Sequence, residues 1–134
     1  MGTIYVARSK ALQAWGGDVG LGKNLYKLGY VEDTTPEVVL AAGMAGETDW
    51  VVVKAEAADT TEAELLERLA RKEKLVDPTY YPRIRGATGL VKVNLAGVEN
   101  SMRIRQALET GQEPKDIKVK PADIARQLIA NALG

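Results

Sequence analysis

Two stretches near the N-terminus decide the fold: Gly2-Thr3-Ile4-Tyr5-Val6-Ala7-Arg8 and Leu25-Tyr26-Lys27-Leu28-Gly29-Tyr30-Val31. Both are rich in β-branched and aromatic residues, which favour β-strands. Residues 9–23, which lie between them, contain four glycines and Trp15 and are typical of a connecting loop. The sequence therefore predicts an antiparallel hairpin that carries Tyr5 and Tyr26 on neighbouring strands, with both side chains on one face.

The rest of the chain alternates helix and strand signals. Thr35-Pro36-Glu37 marks the start of a short helix, and residues 49–54 are predicted to form a central strand. A capping box that begins at Thr61 opens the longest helix, which is predicted to run to about Val76. Residues 89–93 indicate another strand, and residues 97–110 indicate another helix.

A last amphipathic helix is predicted from Pro121 onward. The predicted fold class is therefore α/β, of the α+β kind. It has a small antiparallel sheet in β-β-α-β-α order, flanked by helices, with an extra C-terminal helix. Residues 1–111 are expected to form one domain. Residues 112–134 supply a linker and the C-terminal helix, which packs on or beside that domain.

Composition excludes several catalytic classes. The 134 residues include no Cys and no His, so thiol nucleophiles, disulfides, His-type zinc sites and a Ser-His-Asp triad are ruled out. A metal would have to be held by carboxylates, which favours a hard ion such as magnesium. No secretory signal pattern and no apolar stretch of membrane-spanning length is present, so we expect no membrane partner and a cytoplasmic location.

The net charge is zero, but the charges are segregated along the chain. Residues 1–31 carry four basic residues against one acid, and residues 32–64 carry nine acids against one lysine. Residues 65–105 carry nine basic residues against four acids. The first and third blocks could form one basic surface, or the charges could be spread over mixed solvated faces.

The fragments Ile4-Tyr5-Val6 and Tyr26-Lys27-Leu28-Gly29 resemble the two signature motifs of the GIY-YIG superfamily, whose members are mostly metal-dependent nucleases. The second fragment is most similar to the small phage and bacterial branch, which has Tyr-Lys-hydrophobic-Gly at this point. This resemblance covers roughly residues 2–95. It implies Mg-dependent phosphodiester cleavage, with Tyr5 and Tyr26 as catalytic tyrosines, Gly29 as the motif glycine and Glu62 as the catalytic metal ligand.

Each of these residues also has a structural explanation. Tyr5 and Tyr26 favour strands and could simply pack beneath a helix. Glu62 lies in the first turn of a helix, where a carboxylate interacts favourably with the helix dipole. Both interpretations stay open on the sequence.

One part of the family pattern is missing. No Arg or Lys occurs from Tyr30 through Val53, where the first helix of the family carries a phosphate-binding arginine. Without that cation the transition state loses charge stabilisation, so we expect cleavage to be weak or lost. Arg8 and Arg68 are candidates to replace it, and Asn94 and Asn100 are candidates for a late asparagine partner.

A basic, aromatic segment follows the longest helix. Tyr80-Tyr81-Pro82-Arg83-Ile84-Arg85-Gly86 combines rings that can stack on bases with guanidinium groups that can bind phosphate. We predict nucleic-acid binding, with DNA as the expected partner, through Arg71, Lys72, Lys74, Arg83 and Arg85. Alternatively, this is a structural loop whose arginines pair with the acidic block.

The function expected from the sequence is a GIY-YIG-like domain that binds or hydrolyses nucleic acid. The rival interpretation is a non-catalytic protein-interaction module of the same fold. That module would contact a protein partner through the acidic face of residues 32–64 or through the C-terminal helix.

Overall fold

A computed structural model describes residues 2–84, 86–112 and 117–134. Its described strands pair antiparallel in one sheet of order β3-β1-β2-β5-β4. The antiparallel pairing of β1 with β2 is confirmed, and so is the predicted mixed fold class. The strands are β1 (Gly2–Arg8), β2 (Leu25–Val31), β3 (Val51–Ala58), β4 (Lys74–Leu75) and β5 (Leu90–Lys92).

Five α-helices occur in the described residues: α1 (Lys10–Asp18), α2 (Pro36–Ala41), α3 (Glu62–Lys72), α4 (Leu95–Thr110) and α5 (Pro121–Leu133). Thr35 and Thr61 cap α2 and α3 through their side chains, in agreement with the capping signals. Two short 3-10 turns, Pro78–Tyr80 and Pro82–Ile84, lie between β4 and β5.

The prediction of a loop over residues 9–23 is wrong, because α1 occupies much of that segment. Ser9 begins the helix by accepting a hydrogen bond from the Leu12 amide at 3.1 Å. Gly16 allows α1 to pack closely against β2 and the loop before it. A Cβ at this position would come within 2.6 Å of both Leu25 and the Gly22 carbonyl. Glycine therefore marks a tight helix–strand contact here rather than a turn.

Two other boundaries differ from the prediction. The strand predicted as central, β3, lies at one edge of the sheet, because β5 and β4 add to the β2 side. The helix that was predicted to be the longest, α3, ends at Lys72 instead of about Val76, because the chain turns directly into β4. With 11 residues it is shorter than α4, which has 16. Strand β4 has only two residues and is defined by its pairing with β5, so its sequence is too short to show a strand pattern.

The sheet has two differently covered faces. We call the first the helical face: Ile4, Val6 and Leu28 point from it into a core formed with α3, α4 and α5. The second we call the loop face: Tyr5, Ala7 and Val31 point from it toward α2 and its flanking loop. Residues alternate between these faces because the side-chain period of a strand is two.

The C-terminal helix α5 is part of the core. Its buried residues pack against α3 and the sheet, and they are Ile124, Ala125, Leu128, Ile129 and Ala132. This apolar side is therefore already covered within the chain. Among the described residues, none of the helices combines the length and the apolar character that a membrane span requires.

Candidate functional site

Tyr5 and Tyr26 lie on opposite faces of the sheet. Tyr5 belongs to the core on the loop face, whereas Tyr26 packs with Leu28 in the core on the helical face. The register explains the separation, since Tyr5 is opposite Gly29 and Tyr26 is an odd number of residues from Gly29. The predicted meeting of the two hydroxyl groups at one surface point is wrong, so the two tyrosines cannot act on one substrate atom.

Lys27 is the β2 residue that shares the face of Tyr5. It stands two positions before Gly29 and pairs directly with Ala7. Its ammonium Nζ donates a hydrogen bond to the Thr88 carbonyl. The Tyr5 ring lies over Gly29, where an added Cβ would come within 2.5 Å of its terminal carbon and its hydroxyl. Gly29 therefore provides the space in which the Tyr5 ring sits.

Tyr5 and Lys27 form an electrostatic group with Glu62. Burial raises the pKa of Tyr5 to about 12, and the Glu62 carboxylate adds to the rise. Burial lowers the pKa of Lys27, and the same carboxylate partly opposes that shift. The Glu62 charge is therefore within electrostatic range of both groups. In the described part of the chain, Glu62 makes no hydrogen bond or ion pair with them.

This group is poorly suited to hydrolysis. A phenol whose pKa is about 12 is almost entirely protonated at neutral pH, so it offers no phenolate to accept a proton from water. The Tyr5 and Lys27 side chains are each 2% exposed, which leaves a phosphodiester little access to either. Helix α2, where the family pattern requires a cation, contains no Arg or Lys, and its Val38 is exposed.

Glu62 has no cluster of acidic partners among the described residues. Within residues 2–84, 86–112 and 117–134, no three acidic side chains converge as metal ligands. Glu62 is exposed, and magnesium bound by one carboxylate takes its other ligands from water and from substrate phosphate. Of the candidates to replace the missing arginine, Arg68 forms an ion pair with Glu64 at 3.9 Å.

The predicted nucleic-acid-binding arginines are held by partners or lie outside the described residues. Arg83 forms an ion pair with Glu47, and its guanidinium lies 5.8 Å from the centre of the Trp15 ring. Arg71 forms an ion pair with Glu67 at 2.9 Å. Arg85 falls outside the described residues. The Arg83–Glu47 pair corresponds to the structural-loop alternative, in which arginines bind the acidic block.

The two predicted lysines instead line a cleft beside the β4–β5 edge. Lys72 and Lys74 are exposed there, and Lys92 joins them from β5. We call this feature the lysine cleft; its volume is about 580 Å³, and Glu73, Val93, Asn94, Leu95 and Ala96 complete its lining. None of the three lysines makes a hydrogen bond or ion pair with a residue that the structure describes.

The arrangement of these lysines favours an anion. Lys74 lies directly opposite Lys92 in the antiparallel pair, so both side chains leave the same face. Like charges directly opposite each other in a sheet are unfavourable, and a bound anion removes that repulsion. One carboxylate also lines the cleft: Glu73, which accepts a hydrogen bond from Asn131 at 2.8 Å. Burial raises the pKa of Glu73.

Two residues of these sites were missed by the sequence interpretation. Lys92 was read only as part of a short strand, because its cross-strand partner lies in the two-residue β4. Lys27 was passed over in favour of its neighbour Tyr26. The two-residue period places Lys27 on the face of Gly29, but only the pairing of Gly29 with Tyr5 puts Lys27 on the face of Tyr5. Asn94, a candidate from the sequence, caps α4 and lines the lysine cleft.

Comparison with known proteins does not assign the chain to a family. No family model, no curated protein and no solved structure matches the chain. The features that bear on function are therefore the lysine cleft and the buried pair of Tyr5 and Lys27 near the exposed Glu62.

Proposed function

We propose that this protein is a GIY-YIG-like domain that binds nucleic acid without cleaving it, and that the lysine cleft holds the phosphate backbone. The observation that carries the proposal is the set of three lysines without described partners, Lys72, Lys74 and Lys92, in one cleft. Nucleic-acid binding draws most of its affinity from lysine and arginine contacts with phosphate. Because Glu73 offsets part of the charge and the net charge of the chain is zero, we expect modest affinity, with a dissociation constant of about 10⁻⁵ M at physiological salt.

Salt dependence provides the test. Fluorescence anisotropy with labelled single-stranded and duplex oligonucleotides gives the binding constant between 50 and 200 mM salt, a range of about fourfold over which phosphate contacts have large effects. Replacing Lys74→Gln together with Lys92→Gln removes two cations but keeps side-chain length and polarity. The slope of log K against log salt should become shallower by about 1.4 to 1.8.

A matched control removes two lysines elsewhere. Lys10 begins α1, and Lys54 lies on β3 at the opposite edge of the sheet from the cleft. The Lys10→Gln, Lys54→Gln variant has the same net charge as the cleft variant and should keep the wild-type slope. Equal losses in the two variants would show that net charge, and not the cleft, controls binding. Absence of binding at 50 mM salt would overturn the proposal.

A protein-interaction module has less support from the described contacts. The apolar side of α5 is covered by α3 and the sheet, so it is not available to a partner. Within the acidic block, Glu47 is paired with Arg83, and Asp49 accepts hydrogen bonds from Ser9 and the Ala11 amide. These two acids hold the chain's own elements together and have less capacity for an external cation.

A further inference from the structure

A second cleft adjoins the lysine cleft. It has a volume of about 340 Å³ and shares Lys74 and Lys92 with the first. Its other wall contains Tyr80 and Tyr81, from the 3-10 turns between β4 and β5. The two adjoining clefts, which we call the channel, thus place cations and aromatic rings next to each other.

The two tyrosines of this wall have different environments. Tyr81 is half-buried and packs edge-on against Trp15, with ring centres 5.7 Å apart and an interplanar angle of 84°. Tyr80 is 78% exposed, and its side chain makes no ring contact or hydrogen bond with a described residue. A ring with this exposure beside two lysines has a free face to offer to a ligand.

The backbone that carries Tyr80 is well defined. Pro78 begins the 3-10 turn, and Asp77 caps it by accepting a hydrogen bond from the Thr79 amide at 2.9 Å. The Tyr81–Trp15 contact anchors the residue that follows. Because Tyr has only two side-chain torsions, a ring on such a turn loses little conformational entropy when it stacks on a planar group.

We propose that the channel binds single-stranded nucleic acid, with an unpaired base stacked on Tyr80 and the adjacent phosphates held by Lys74 and Lys92. This inference rests on the proposed nucleic-acid binding and adds the class of ligand. The bases of a duplex are stacked on one another and present no free face, so Tyr80 can add affinity only for an unpaired strand. Stacking depends on the base face, so the channel does not discriminate strongly between sequences.

The test compares binding of unpaired strands with binding of a duplex, because the loss of an aromatic ring should affect only the unpaired strands. Oligothymidylate, oligouridylate and a DNA duplex of equal length are titrated by fluorescence anisotropy against wild type, Tyr80→Ala and Tyr80→Phe. Tyr80→Ala should weaken binding of the unpaired strands about tenfold and leave duplex binding unchanged. Tyr80→Phe, which keeps the ring, should bind like wild type. The salt slope should be the same in all three, because no charge is removed. Oligothymidylate and oligouridylate together distinguish DNA from RNA as the source of the strand.

Leu108→Ala is the matched control, because Leu108 is an exposed apolar residue of α4 (82% exposed) outside the channel lining. It should change binding of no oligonucleotide. The inference is overturned if Tyr80→Ala binds unpaired strands like wild type, or if it weakens strand and duplex equally. In either case a reduced salt slope in the Lys74→Gln, Lys92→Gln variant would still support the proposed function. If wild type binds none of the oligonucleotides, both fail.

Discussion

Gly29→Ala should destabilise the protein severely, because Gly29 provides the space for the Tyr5 ring. The added Cβ would lie 2.5 Å from the terminal ring carbon and the hydroxyl of Tyr5, whereas ordinary contacts are 3.4–4 Å. The overlap is about 1 Å, and the ring is 2% exposed within a cluster that includes Ala7, Val31 and Leu40. Because the ring cannot swing away, we expect a loss of about 3 kcal/mol in the free energy of unfolding.

Urea unfolding followed by far-ultraviolet circular dichroism measures this loss. Gly17→Ala is the control: its Cβ would lie 3.3 Å from the flexible Lys23 side chain, and alanine favours the helix by about 0.5 kcal/mol or more. Tyr5→Leu removes the overlapping atoms, so it should make Gly29→Ala less damaging. The double-mutant cycle should give a favourable coupling of at least about 1 kcal/mol.

Two results would refute this reasoning. One is a loss below about 1 kcal/mol in Gly29→Ala, which would mean that the ring or the strand moves easily. The other is strict additivity between Gly29→Ala and Tyr5→Leu, which would mean that the two residues do not share this space. Either result would require another reason for the glycine in the Tyr-Lys-hydrophobic-Gly fragment.

Three further predictions concern charged groups. Because burial lowers the pKa of Lys27 below 10.5, the unfolded chain binds more protons between the two pKa values. Stability should therefore rise with pH in that window, by at most about 1.4 kcal/mol per pH unit. Lys27→Met should abolish this rise in urea unfolding below pH 10.5, and a flat wild-type profile would contradict this assignment. Glu73→Gln removes the carboxylate from the lysine cleft and should tighten oligonucleotide binding about two- to fivefold in anisotropy titrations. The wild type should approach that affinity as falling pH protonates Glu73, which happens at a higher pH than for an ordinary glutamate because burial raises its pKa. A weaker-binding variant would argue against an anion in the cleft. Wild type with magnesium should not cleave oligonucleotides in a gel assay and should match Glu62→Gln, because Tyr5 and Lys27 are closed to substrate. Robust cleavage that Glu62→Gln removes would restore the nuclease interpretation.

The sequence by itself determined the elements whose signals are local. Alternating β-branched and aromatic residues predicted β1 and β2, and Thr caps predicted the starts of α2 and α3, as observed. Lys72 and Lys74 were both predicted to lie within the helix that begins at Thr61, but only Lys72 lies in α3, Lys74 lies in β4, and their cleft was not foreseen. The elements with local signals can be predicted because the alternation of a strand and the cap of a helix depend only on residues that are close together in the sequence.

Tertiary structure decided which of the chosen residues meet. The register of β1 against β2 places Tyr5 and Tyr26 on opposite faces of the sheet, and it places Lys27 on the same face as Tyr5. This register is determined by the pairing of the two strands. Lys92 gained its role from a cross-strand neighbour in β4, and Arg83 lost its role to Glu47 across 36 positions of chain. Electrostatic and packing partners are set by distance in space. A one-residue change of register moves a side chain to the other face of the sheet, and an ion pair with a residue distant in sequence fixes where a side chain points. Neither effect can be recognised from the neighbouring residues in the sequence.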